Sequence, residues 1–171
     1  MATAGPSETF DTFDRARSLA VALMIAAGLA AIVGSVLDWA TIDTCPRVAE
    51  DIDFQGAEVE EPPPCETFRG IDILDGKIVI AAGAATIVFA YLLASRRTSG
   101  PAWLGFLTSI VAGGIAIADY RTIGDVNSSV SERADLIGEA SPGMGLTLVA
   151  VSALIGVIAA VIGVAASPHR D

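Results

Sequence analysis

The only cysteines of the chain, Cys45 and Cys65, are the two residues best suited to covalent chemistry. They share one polar, acidic segment, and a bond between them would close a ring of 21 residues. On a chain-entropy argument such a ring contributes about 3 kcal/mol. Two thiols are too few for a structural metal site, and they lack the C-x-x-C spacing that tunes thiolate redox chemistry. A structural disulfide is therefore the expectation, and it persists only in an oxidising compartment.

Between the cysteines runs PRVAEDIDFQGAEVEEPPP. Asp51, Asp53 and Gly56 imitate the opening of a calcium loop, D-x-D-x-x-G. The position that needs a bidentate glutamate holds Pro62, however, with Glu61 one place early. Asp51, Asp53 and Glu61 are thus candidate calcium ligands, set against the reading of a solvated acidic face, which the spacing favours. Pro62, Pro63 and Pro64 should hold a short polyproline stretch before Cys65.

Elsewhere the chemistry is sparse. The single histidine is His169, so neither a Ser/His/Asp nor a Cys/His arrangement can be assembled. Walker and dinucleotide motifs are absent from the sequence, and the G-x-G pair at Gly143 and Gly145 opens an apolar window, where it reads as packing. Asp38 and Asp119 stand at the ends of apolar windows and could be neighbours, with Arg121 as an ion-pair partner for Asp119. No catalytic residue, cofactor or nucleic-acid partner is expected, the last because the net charge is −10.

The elements that must position these residues are membrane spans. Of the 171 residues 53% are hydrophobic and 18% charged, and the mean hydropathy is +0.61. Four apolar windows, 18–37, 78–94, 102–118 and 143–166, are each long enough to cross a hydrocarbon core of about 30 Å. The first is too long for a signal-peptide core and no clean cleavage site follows it.

The remaining segments follow from the spans. An N-terminal segment, 1–17, is either an interfacial helix, with Phe10 and Phe13 on one face, or a frayed tail. Residues 38–77 form the large acidic loop, 95–101 a tight turn, 119–142 a second loop and 167–171 a short tail. The flanks WATID and ETFRGIDI have β character, which suggests a small two- or three-stranded cap. Ser129 and Glu132 form a capping box that would start a short helix. Trp39 and Tyr120 would mark one membrane boundary, with Tyr91 and Trp103 at the other.

Orientation rests on charge and on the cysteines. With both termini cytoplasmic, the inner segments carry Arg15, Arg17, Arg96, Arg97 and Arg170 and sum to +1, and the outer loops sum to −11. Basic residues tie at five a side, but Arg96 and Arg97 crowd a very short connection. An oxidised Cys45–Cys65 pair places the large loop outside.

Small residues recur every four positions in three windows: Ala26, Ala30 and Gly34; Gly105, Ser109 and Gly113; Ser152, Gly156 and Ala160. In a bilayer, helices associate through close van der Waals approach, so such strips predict tight helix packing. The fold expected is an all-α membrane bundle of four antiparallel transmembrane helices, with a small disulfide-closed extracytoplasmic cap.

The run Gly34-Ser35-Val36-Leu37-Asp38-Trp39, then Gly70 with Asp75-Gly76, then Ser141-Pro142-Gly143-Met144-Gly145-Leu146, resembles the small four-span membrane proteins common in actinobacteria. In topology the chain is also similar to claudins, with a disulfide-closed first outer loop and a tryptophan at its start. The resemblance implies architecture, four spans in this order, and no particular activity.

Three functional expectations follow. The first is a non-enzymatic accessory or scaffold subunit of a larger complex in the plasma membrane, whose partners are the bilayer and other membrane subunits or copies of itself. The second is an extracytoplasmic module that binds a cation, a ligand or a protein. The third is a transporter or membrane enzyme, for which Thr86, Thr108, Ser109, Thr147 and Ser152 would supply a thin polar lining.

Overall fold

A computed structural model describes residues 6–42, 66–96, 98–131 and 140–167. Four long helices dominate: α1 (Pro6–Val36), α2 (Leu74–Ser95), α3 (Gly100–Ser131) and α4 (Met144–Ala165). Each holds a stretch long and apolar enough to cross a membrane: Thr12–Val36, Leu74–Ser95, Gly100–Gly124 and Met144–Ala165. The chain is a multi-pass membrane protein built as a helical bundle. Three short strands, β1 (Asp38–Ile42), β2 (Glu66–Arg69) and β3 (Ala140–Pro142), form an antiparallel sheet in the order β2-β1-β3.

Consecutive helices run antiparallel and close a ring in which α1 packs on α2 and α4, and α3 packs on the same two. Glycine allows the approach. A Cβ on Gly28 of α1 would lie 2.6 Å from the carbonyl oxygen of Gly83 in α2, and one on Gly83 would lie 2.8 Å from that of Gly28. A Cβ on Gly34 would lie 2.9 Å from the Gly145 oxygen of α4. On α4, Gly156 rests against Ser109 of α3, and Gly163 against Leu93 of α2 and Ala102 of α3. The backbones therefore meet at distances that no side chain would permit, the arrangement that lets dispersion hold helices together in lipid.

The buried core falls into two clusters. One, toward the sheet, gathers Ala31, Trp39, Val79, Ala82, Ala112, Ala116, Leu146, Val149 and Ala153. The other, toward the short α2–α3 turn, gathers Ala20, Met24, Ala90, Leu93, Ala102 and Ala159. Outward positions such as Leu29, Val88, Leu107, Leu154 and Val161 are more than half exposed, as lipid-facing side chains must be.

Several expected boundaries move. Residues 6–17 continue α1 without a break. The second helix begins at Leu74 rather than 78, and α3 runs on to Ser131 and so includes Ser129; Glu132, the other half of the expected capping box, lies outside the described residues. The β character of WATID and ETFR is realised as β1 and β2, and ASP at 140–142, expected to lead directly into the fourth span, adds a third strand.

Candidate functional site

The sheet end of the bundle is organised around Trp39. The β1–β2 register shifts between Asp38 and Ala40, which leaves Trp39 as the unmatched residue of a bulge. A bulge re-aims the side chain it carries. Here the indole turns into the bundle, is 2% exposed, and donates from Nε1 to the Gly34 carbonyl at 2.9 Å. Trp39 is thus a buried anchor, not the membrane-boundary marker expected of it.

Around this indole the short glycine motifs converge. Gly70 lies flat against the ring and Gly76 against the Gly70 backbone, so a Cβ at either would collide. Gly143 sits on the Asp38 backbone, and its N–H donates to the Trp39 carbonyl at 2.7 Å. Gly145 approaches Gly34 from α4. The ring excludes a side chain at Gly70, the β1 backbone excludes one at Gly143, and the neighbouring glycine backbones exclude one at Gly76 and Gly145.

Carboxylates rim the same end. Asp38 pairs with Arg69 at 3.8 Å, an exposed contact across β1 and β2. Asp119, considered from the sequence as a neighbour of Asp38, lies near the end of the stretch of α3 able to cross a membrane. Its Oδ2 is buried and, among the described side chains, has no hydrogen-bond partner. Nor does Arg121 pair with it. Two residues along a helix turn the chain by about 200°, so Asp119 and Arg121 point to opposite faces of α3.

At the opposite end one cation closes the bundle. Arg17, 9% exposed, donates from Nε to the Leu93 carbonyl at 2.9 Å, and from Nη2 to the carbonyls of Leu93 and Arg96. The guanidinium thus satisfies the last carbonyls of α2 at the negative end of its dipole. Sequence reading counted Arg17 only as a flanking charge. Its place immediately before an apolar window, opposite a turn of minimal length, was the signal.

The small residues chosen from the sequence divide by face. Gly34, Gly105, Ser109, Ser152, Gly156 and Ala160 are buried inside the bundle, and Gly113 is half-buried, 3.2 Å in Cβ terms from Ala153. Ala26 is exposed and Ala30 half-buried. In α1 the inward face carries Ala20, Met24, Ala27, Gly28 and Ala31 instead. A four-residue repeat drifts around a 3.6-residue helix, so the Ala26 strip does not keep to the contact face along its length.

The hydroxyls of the interior are turned to their own helices. Thr86 donates to Ala82, Ser109 to Gly105 and Ser152 to Val149, all within 2.9 Å. Thr86 and Thr108 oxygens meet at 2.7 Å across α2 and α3. The cavity among them has a volume of about 10 Å³, room for one water-sized centre. Thr147 bonds only to Gly143, at 3.5 Å.

Cys45, Cys65, Asp51, Asp53 and Glu61 lie outside the described residues. Among the described residues no group of three or more His, Cys, Asp or Glu side chains is placed to hold a metal ion. Compared with family models, curated proteins and solved structures, the chain matches none.

Proposed function

We propose that the protein is a non-enzymatic accessory subunit that engages its partner outside the plasma membrane, through the acidic segment 43–65. The observation that carries this reading is the hairpin at the sheet end. Ile42 and Glu66 are cross-strand partners, so both ends of that segment are fixed to one rigid base. The segment holds seven acidic residues against Arg47 alone, which suits a basic face on another membrane or envelope protein.

The packing supports this over contact through the small-residue strips. Most of the small residues in those strips, Gly34, Gly105, Ser109, Ser152, Gly156 and Ala160, are buried between the protein's own helices. The bundle then serves as a pedestal, and recognition falls to the outer loops. Strand register also favours the disulfide. Cys45 follows the Ile42 pairing point by three residues and Cys65 precedes Glu66 by one, so roughly 10 Å of chain at most separates either cysteine from a fixed point. Both termini are cytoplasmic in this reading, with Arg96 and Arg97 in the inner turn.

Gentle-detergent purification of the tagged protein from its native host, followed by native mass spectrometry, tests the proposal. A partner in fixed ratio should appear, and should be lost when residues 46–64 are replaced by a Gly/Ser linker. A lone monomer, or a partner kept by that variant, would overturn the reading.

A further inference from the structure

A groove of about 300 Å³ opens on the outer surface between α3 and α4, toward the sheet end. Its size is at the lower end of the roughly 300–1,000 Å³ typical of ligand sites. Ala116, fully buried, forms its floor, with Ala150 of α4 beside it. Ile117 and Tyr120 make the exposed wall, and Arg121 stands at the rim. Two alanines at facing positions create the space, and any larger side chain there would fill it.

The chemistry of the lining changes along its length. Ala116, Ile117 and Ala150 offer hydrocarbon only. Tyr120 and Arg121 fall in the last turn of the stretch able to cross a membrane, which ends at Gly124. That is the depth at which tyrosine hydroxyls and arginine heads sit among lipid headgroups. Arg121 is exposed and has no ion pair or internal hydrogen bond among the described residues, and the Tyr120 hydroxyl likewise has none. A free guanidinium and a free phenol above an apolar slot complement one ligand class, a phosphodiester joined to an acyl chain.

We propose that this groove holds one glycerophospholipid of the surrounding leaflet. One acyl chain lies over Ala116 and Ala150 against Ile117, and the phosphodiester accepts hydrogen bonds from Arg121 and Tyr120. Asp119 does not compete for the guanidinium, because two residues along α3 set it about 200° around the helix from Arg121. This site depends on the membrane character of the bundle and is independent of what the acidic segment recognises.

Delipidated full-length protein in detergent, titrated and read by native mass spectrometry, tests it with three probes: phosphatidylglycerol, diacylglycerol with the same chains, and inorganic phosphate. The expected result is one tightly retained phosphatidylglycerol, weak retention of diacylglycerol, and no binding of inorganic phosphate. Arg121→Gln should lower phospholipid affinity about fivefold, the scale of one partly exposed charged contact. Ala150→Leu should abolish the retained lipid by filling the slot, with far-ultraviolet circular dichroism confirming the helices. Equal retention of diacylglycerol and phosphatidylglycerol by the native protein would overturn the proposal without recourse to any variant. So would unchanged phospholipid binding by a folded Arg121→Gln protein, or phosphate binding without acyl chains.

Discussion

At the scale of single residues, the glycines separate into two kinds that look alike in sequence. Gly28 has the Gly83 carbonyl oxygen and the Ile87 side chain 2.6 Å from where its Cβ would be, whereas nothing lies within 4 Å of that point at Gly114. Gly28→Ala should therefore cost about 1–3 kcal/mol through overpacking. Gly114→Ala should be neutral, or stabilising by up to about 1 kcal/mol from helix propensity. Denaturant titration of the helical signal in mixed micelles measures both, and equal effects would contradict the packing described. Trp39 offers a second contrast. Trp39→Ala empties the socket and should cost about 3–5 kcal/mol. Trp39→Phe keeps most of the ring, loses the bond to Gly34 and should cost less. Legibility at this scale was partial: Trp39 stood out, but its inward turn depends on a bulge that only strand pairing creates.

Among the elements, α2 is held at its two ends by different means. Its first turn carries Asp75, an acid favourable to the positive end of the dipole. Its last carbonyls accept from Arg17 of α1. Arg17→Gln should loosen the last turn of α2, costing about 2 kcal/mol for the charged hydrogen bonds lost from a buried site. Hydrogen exchange at the end of α2 should rise while the sheet end stays protected. Uniform exchange across the bundle would show instead that the clasp acts globally. The α3–α4 contact makes a complementary prediction: Gly156 meets Ser109 directly, so Gly156→Leu should unfold the isolated protein rather than merely detach a partner. Helix length was readable from hydropathy, but continuation of α3 past Gly124 was not, because its polar last turns carry no apolar period.

For the molecule as a whole, the two ends of the bundle differ in kind. One is closed by a three-stranded sheet seated on Trp39, and the other by Arg17 and a turn of four residues between α2 and α3. The acidic segment belongs to the sheet end, so its side of the membrane decides what it can meet. In intact cells, maleimide labelling of both native cysteines should require prior reduction. A Thr98→Cys protein lacking the native cysteines should stay unlabelled by an impermeant reagent. Labelling at position 98 from outside would reverse the orientation, and free thiols at Cys45 and Cys65 would remove the disulfide from the cap.

The sequence by itself determined the number, order and approximate extent of the spans, because hydropathy summed over about 20 residues is insensitive to neighbours. It also marked β1 and β2, whose alternating and branched residues suit strands. Tertiary structure alone decided which small residues face inward, because the phase of a helix depends on the partners it meets. It likewise decided that Gly70 meets the Trp39 indole, that Gly143 and Gly145 meet the Asp38 backbone, and that Gly34 and Gly145 meet each other. Those pairings join positions far apart along the chain, and nothing local encodes them.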